Sequence, residues 1–109
     1  AARLTLRQLV AACCTNPARL MGLYPRKGVI QPGSDADLAI IHPTHKIKVD
    51  WRKMETHCDW NPYQGWSLAG FAEHTFSRGR QLVENYRFIG QGCGGQYLPR
   101  EPVAPRLQT

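Results

Sequence analysis

Apolar positions along this chain recur with two periods, and the change between them divides the sequence. Leu6, Leu9, Val10 and Cys13 fall at i, i+3, i+4 and i+7, a spacing that places all four on one helix face. Thr5 stands just before them as a cap. Thr15-Asn16-Pro17 then predicts a restart. Asn16 suits the cap of a second helix, and Pro17 suits its first position, where a missing N–H costs nothing. That helix is short, Pro17 to Met21, and Gly22 closes it in the left-handed conformation.

Beyond Tyr24-Pro25 the period shortens to two. Gly28-Val29-Ile30-Gln31 reads as a strand, Pro32-Gly33-Ser34-Asp35 as a turn, and Ala36 to Ile41 as a second strand. The second strand lacks clean alternation, so both of its faces are expected to be covered. His42-Pro43 ends it. Lys46 to Trp51 alternates polar with apolar residues, as a half-exposed strand does, and Asn61-Pro62-Tyr63-Gln64-Gly65 is turn chemistry. Glu73 to Ser77 and Gln81 to Val83 form a hairpin around Arg78-Gly79-Arg80, with a further short strand over Tyr86 to Ile89. From Gly90 the residues turn to Gly, then Pro, and residues 90–109 read as an extended arm with a frayed end. The class is α+β: a helix pair, several short strands and a tail, with no internal repeat and no βαβ unit.

Composition makes this pattern hard to complete alone. Ten Leu, five Ile, five Val and three Phe supply about a fifth of the 109 residues, close to the ~20% level below which chains tend to stay disordered. A domain of this size must bury roughly two-thirds of its unfolded surface, which calls for a neighbour. Leu38-Ala39-Ile40-Ile41 is too short to span a bilayer, so no membrane partner is expected. The opening Ala1-Ala2-Arg3 shows no charged-then-apolar leader. The net charge of +6 is scattered over Arg3, Arg7, Arg19, Arg26, Lys27, Arg78, Arg80 and Arg87. The densest stretch, Lys46 to Lys53, is broken by Asp50, so a solvated surface fits better than a nucleic-acid footprint. Four Cys with no C-x-x-C, two of them adjacent at 13 and 14, read as reduced thiols of a cytoplasmic protein.

Candidate chemistry is thin. The possible metal donors are His42, His45, His57, Cys58, His74, Asp35, Asp37, Asp50 and Asp59. Zinc needs three or four donors converging at about 2.0–2.3 Å, and only His42-x-x-His45 has a suggestive spacing, astride Pro43. Asp35 and Asp37 share a strand face as an acid/base pair does. Asp35 lies in a turn, however, where Asp bonds its own backbone, and Asp37 is placed to orient that turn or pair with Lys27 or Arg26. Gly90-x-Gly92-x-Gly94-Gly95 precedes Tyr97-Leu98-Pro99 rather than a helix, against a phosphate cradle. Ser67 and Ser77 have no adjacent His to act as base. No catalytic, metal or substrate-binding residue is assigned.

Two stretches together resemble a known family. Thr15-Asn16-Pro17-Ala18-Arg19-Leu20-Met21-Gly22-Leu23-Tyr24-Pro25-Arg26-Lys27-Gly28, then Gln31-Pro32-Gly33-Ser34-Asp35-Ala36-Asp37-Leu38-Ala39-Ile40-Ile41, is similar to the late region of metal-dependent amidohydrolases. His57-Cys58-Asp59-Trp60-Asn61-Pro62-Tyr63-Gln64-Gly65, Thr75-Phe76-Ser77-Arg78-Gly79-Arg80 and the Gly-rich run to Arg100 resemble the dihydropyrimidinase and D-hydantoinase branch. His42 stands where that branch often has Asp before Pro, Gln64 where Glu is common, and Trp60 where Tyr is usual.

The resemblance implies the C-terminal end of a larger cyclic-amide hydrolase. Residues 1–24 would be the last helical segment of a (β/α)₈ barrel, 25–89 part of a small β-sandwich, and 90–109 an arm along a subunit interface. Two divalent metals, zinc by preference, would be held by residues of the barrel, with a metal-activated hydroxide attacking the ring amide. The partners implied are the remainder of the same chain and further copies of it in a homo-oligomer, with no nucleic acid. Two other readings stand beside this one: a non-catalytic scaffold of the same fold, and an independent basic binding module.

Overall fold

A computed structural model of the protein describes residues 4–92 and 94–101. Its described residues divide into two compact units, one built from residues 4–36 and 94–101 and the other from residues 37–92.

The first unit is built on one helical run. Thr5 opens it with a capping box: the Gln8 N–H donates to Thr5 Oγ1 at 3.2 Å, and the Thr5 N–H donates to Gln8 Oε1 at 2.9 Å. Helix α1 (Leu6–Val10) passes into a π turn (Ala11–Thr15) and then into α2 (Asn16–Leu20). The expected restart is therefore corrected. Asn16 has helical angles (φ −67°, ψ −44°) and donates its N–H five residues back, to Ala11 O. Pro17 has no N–H to offer, and its ring crowds the carbonyl one α-turn behind. A wider π turn just before it lets the helix continue through the proline. Gly22 (φ +66°) ends the run as expected, with Leu23 N–H on Ala18 O at 2.8 Å and Gly22 N–H on Arg19 O at 3.2 Å.

The strand expected over Gly28–Gln31 is absent, and turns take its place. Gly28 has φ +81° and lies against the helix: a Cβ there would sit 2.5 Å from Ala18 Cβ and 2.8 Å from Cys14 O. Thr15 Oγ1 donates to Gly28 O at 2.9 Å, fixing the same approach. Among the described residues of this unit Ala18, 7% exposed, is the buried apolar one, whereas Ile30 is 85% exposed. The turn expected over Pro32–Asp35 lies one residue earlier, at Gln31–Ser34, with Pro32 second, Gly33 third at φ +89°, and Ser34 N–H on Gln31 O at 3.1 Å.

The second unit holds two antiparallel sheets. Strands β1 (Leu38–Ile41), β4 (Ala72–Ser77), β5 (Arg80–Glu84) and β6 (Arg87–Phe88) form one, in the order β1-β4-β5-β6. Strands β2 (Lys46–Lys48) and β3 (Ser67–Ala69) form the other. The expected hairpin is present: Ser77 pairs with Arg80 across Arg78-Gly79, both at positive φ, the two-residue geometry that matches strand twist. Glu84 pairs with Arg87 across Asn85-Tyr86 in the same way. The strand expected over Lys46–Trp51 stops at Lys48, because Asp50 caps a 3-10 turn (Trp51–Lys53) by accepting the Arg52 N–H. Val49, 3% exposed, is the buried apolar residue here, locked by its N–H on Trp66 O (2.8 Å) and the Gly65 N–H on its own carbonyl (2.9 Å). β1 was expected to be covered on both faces. Within this chain Ile40 and Ile41 are instead half exposed.

Candidate functional site

The possible donors each have separate tasks. Asp35 accepts from Lys27 Nζ at 2.8 Å and Arg26 Nε at 3.1 Å, and its own N–H donates to Arg26 O at 2.9 Å. The Lys27 ammonium first, and then the Arg26 guanidinium, hold its carboxyl below the usual carboxylate range against a partial desolvation. Asp35 thus takes both cations, an engagement that its place in the turn did not suggest. Asp37 accepts the Arg78 backbone N–H at 2.7 Å, tying the approach to β1 to the tip of the β4–β5 hairpin.

His42 Nδ1 accepts the His45 backbone N–H at 3.2 Å, so the lone pair that a metal would need closes a local turn. The two rings meet edge to face at 6.0 Å, and His45 stacks on Tyr86 at 4.9 Å. Desolvation, then the nearby Glu73 carboxylate, raise the Tyr86 phenol above its ordinary range. His74, in β4, meets the Gln81 side-chain amide at 3.2 Å. His57, Cys58 and Asp59 are exposed in an irregular segment. Among the described residues, no three His, Cys, Asp or Glu side chains are grouped so as to hold a metal ion. Cys93 lies outside the described residues.

Gln64 is a residue whose role composition alone does not reveal. Its Oε1 accepts the Trp51 N–H at 2.8 Å, while its Nε2 faces Asp50 Oδ1 at 3.5 Å. An amide can accept from one and donate to the other, whereas a Glu would set two carboxylates together. The Gln64 amide therefore suits the neighbouring Asp50 carboxylate. A cavity of about 590 Å³ opens in the same unit, lined by Val49, Phe71 and Phe88 with Lys48, Glu55 and Tyr86 among its polar walls. It presents no nucleophile paired with a base.

Several other basic side chains are engaged locally. Arg19 lies 4.6 Å over the Tyr24 ring, Arg52 lies 4.7 Å over Trp51, and Arg80 donates to the Gln91 and Gly92 carbonyls. The glycine run after Gly90 leads into no helix among the described residues. No helix of the described residues is long and apolar enough to cross a membrane.

The described residues thus form a helical run followed by small antiparallel sheets, and known relatives place that arrangement. The amidohydrolase family model matches residues 1–61, more than half of the chain, and the chain belongs to that family. D-phenylhydantoinase of Escherichia coli O1:K1 is 35% identical over 103 residues, covering 94% of this chain and 22% of that protein. Among solved structures, D-hydantoinase (dihydropyrimidinase) from Thermus sp. superposes with a TM-score of 0.86 at 34% identity, over 94% of this chain and 22% of that one. Dihydropyrimidinase from Brevibacillus agri superposes with a TM-score of 0.85 at 34% identity, over 93% and 22%. The chain thus spans about a fifth of the length of the relatives it matches.

Proposed function

We propose that this chain is the structural, non-catalytic C-terminal portion of a hydrolase that opens cyclic amides such as hydantoins and dihydropyrimidines. The observation that carries the reading is 35% identity running through 94% of the chain to a protein named D-phenylhydantoinase. In this reading residues 1–24 close a barrel, 25–89 contribute strands to a sandwich, and 90–109 form an arm at an interface between copies of the whole protein. The exposure of Leu6 (77%), Leu9, Val10 and Leu20 supports it, since such a face is ordinarily covered by another part of a protein. The cytoplasm is the proposed setting, supported by the unpaired, exposed thiols of Cys13, Cys14 and Cys58.

The family resemblance implies divalent metals. The described residues do not fit them: the His42 ring nitrogen is used by His45, and the other donors stay apart. In the proposed whole protein the metal ligands lie elsewhere in the chain, and the residues present here cover and position that part. Elemental analysis tests this division. The full-length protein should carry about two divalent ions per chain, and this chain alone, titrated with zinc, should hold none after dialysis. One tightly held zinc per isolated chain would contradict it.

A further inference from the structure

The tail of the first unit returns to the end of its helix at Glu101. The Glu101 N–H donates to Gly22 O at 3.1 Å. A Cβ on Gly22 would lie 2.1 Å from Glu101 O, 3.1 Å from Glu101 C and 3.3 Å from Glu101 N. Contacts below 3 Å to backbone are not relieved by turning a side chain, so the tail backbone occupies the space of the missing side chain. Gly22 therefore meets two demands at once. Its φ of +66° ends the helix, and its bare Cα admits another stretch of backbone. Gly33, at φ +89°, meets only the first kind of demand, because a Cβ there would find nothing within 4 Å.

We propose that residues 94–101 form a strap latched to the helix end, with the bare Cα of Gly22 as the keyhole and the Glu101 N–H as the catch. The latch closes a unit whose two segments are separated in sequence by residues 37–93. It gives the Gly22 carbonyl, at the helix end, a protein donor. It also ties down a segment in which the Tyr97 side chain is 89% exposed. The proposal concerns one chain only and holds whether or not the whole protein opens cyclic amides.

Chymotryptic cleavage after Tyr97, followed by mass spectrometry on the full-length protein under native conditions, reads the latch directly. A protease needs several residues of detached chain, so cleavage reports the opened strap. G22A blocks the keyhole, and E101P removes the catch while leaving the helix end untouched. Each should speed cleavage about tenfold, the effect of losing one well-placed hydrogen bond and its contact. The double variant should be no faster than the faster single one, because both open one latch. G33A, strained without a clash, should cleave at the wild-type rate. Wild-type cleavage in E101P would overturn the proposal, as would multiplying effects in the double variant or equal acceleration by G33A. E101P keeps the test decisive if G22A does not fold.

Discussion

The two units reach order by opposite means. In the first, what matters is where side chains are missing: Gly28 admits the close approach to Ala18 and Cys14 O, and Gly22 admits the backbone of Glu101. In the second, order rests on one side chain, Val49, packed where backbone bonds to Trp66 and Gly65 close around it. Among the described residues, neither unit owns a large core. In the proposed whole protein the remaining burial would come from other parts of the chain, in keeping with relatives several times its length. Substitutions should therefore hurt in opposite senses, by adding atoms in the first unit and by removing or charging them in the second.

The largest expected effect is V49D. An unpaired carboxylate replacing a side chain that is 3% exposed should destabilise by about 3 kcal/mol or more. Amide protection should fall first across residues 46–69. Somewhat smaller is G28A, with about 1–2 kcal/mol for the left-handed backbone and a further amount for the 2.5 Å contact with Ala18 Cβ. There the protection should fall first across residues 14–28. Hydrogen exchange on the full-length protein reads both variants. A G28A as stable as wild type would break the contrast.

D35N should have the smallest effect at neutral pH and the clearest signature in acid. The Asp35 carboxyl is lowered by Lys27 and then Arg26, so its contribution is present above the ordinary carboxylate value, near pH 4. It is lost as the pH falls through the lower folded value. Thermal melts from pH 7 to pH 2 should show a wild-type decline below about pH 4 that is reduced in D35N. Identical acid profiles would mean that the two ion pairs contribute nothing to folding.

Local chemistry made much of this fold legible. Thr5 caps, Gly22 ends the helix, Pro32-Gly33 turns, and Arg78-Gly79 closes a hairpin, because each depends on neighbours within a few residues. The departures come where distant parts compete. Asn16-Pro17 has the marks of a helix start, yet the preceding turns are already helical and a π turn absorbs the proline. Val29-Ile30 has strand residues, but Gly28 is drawn against Ala18 and the chain folds into turns instead. β3 gives little signal, because Leu68 is the one apolar residue between Ser67 and Ala69 that β2 half-buries. The site residues were harder still. That Asp35 takes both Arg26 and Lys27 depends on the course of a ten-residue loop, which no spacing rule encodes.

Ring opening tests the central claim most directly. Hydantoin and dihydropyrimidine are offered to the full-length protein and to this chain alone, each with and without chelator, and loss of the ring amide is followed. The full-length protein should open the ring, lose that activity to chelator and regain it with divalent metal, while this chain stays inert throughout. Ring opening by this chain alone, or a metal-replete full-length protein that leaves both rings intact, would contradict the account.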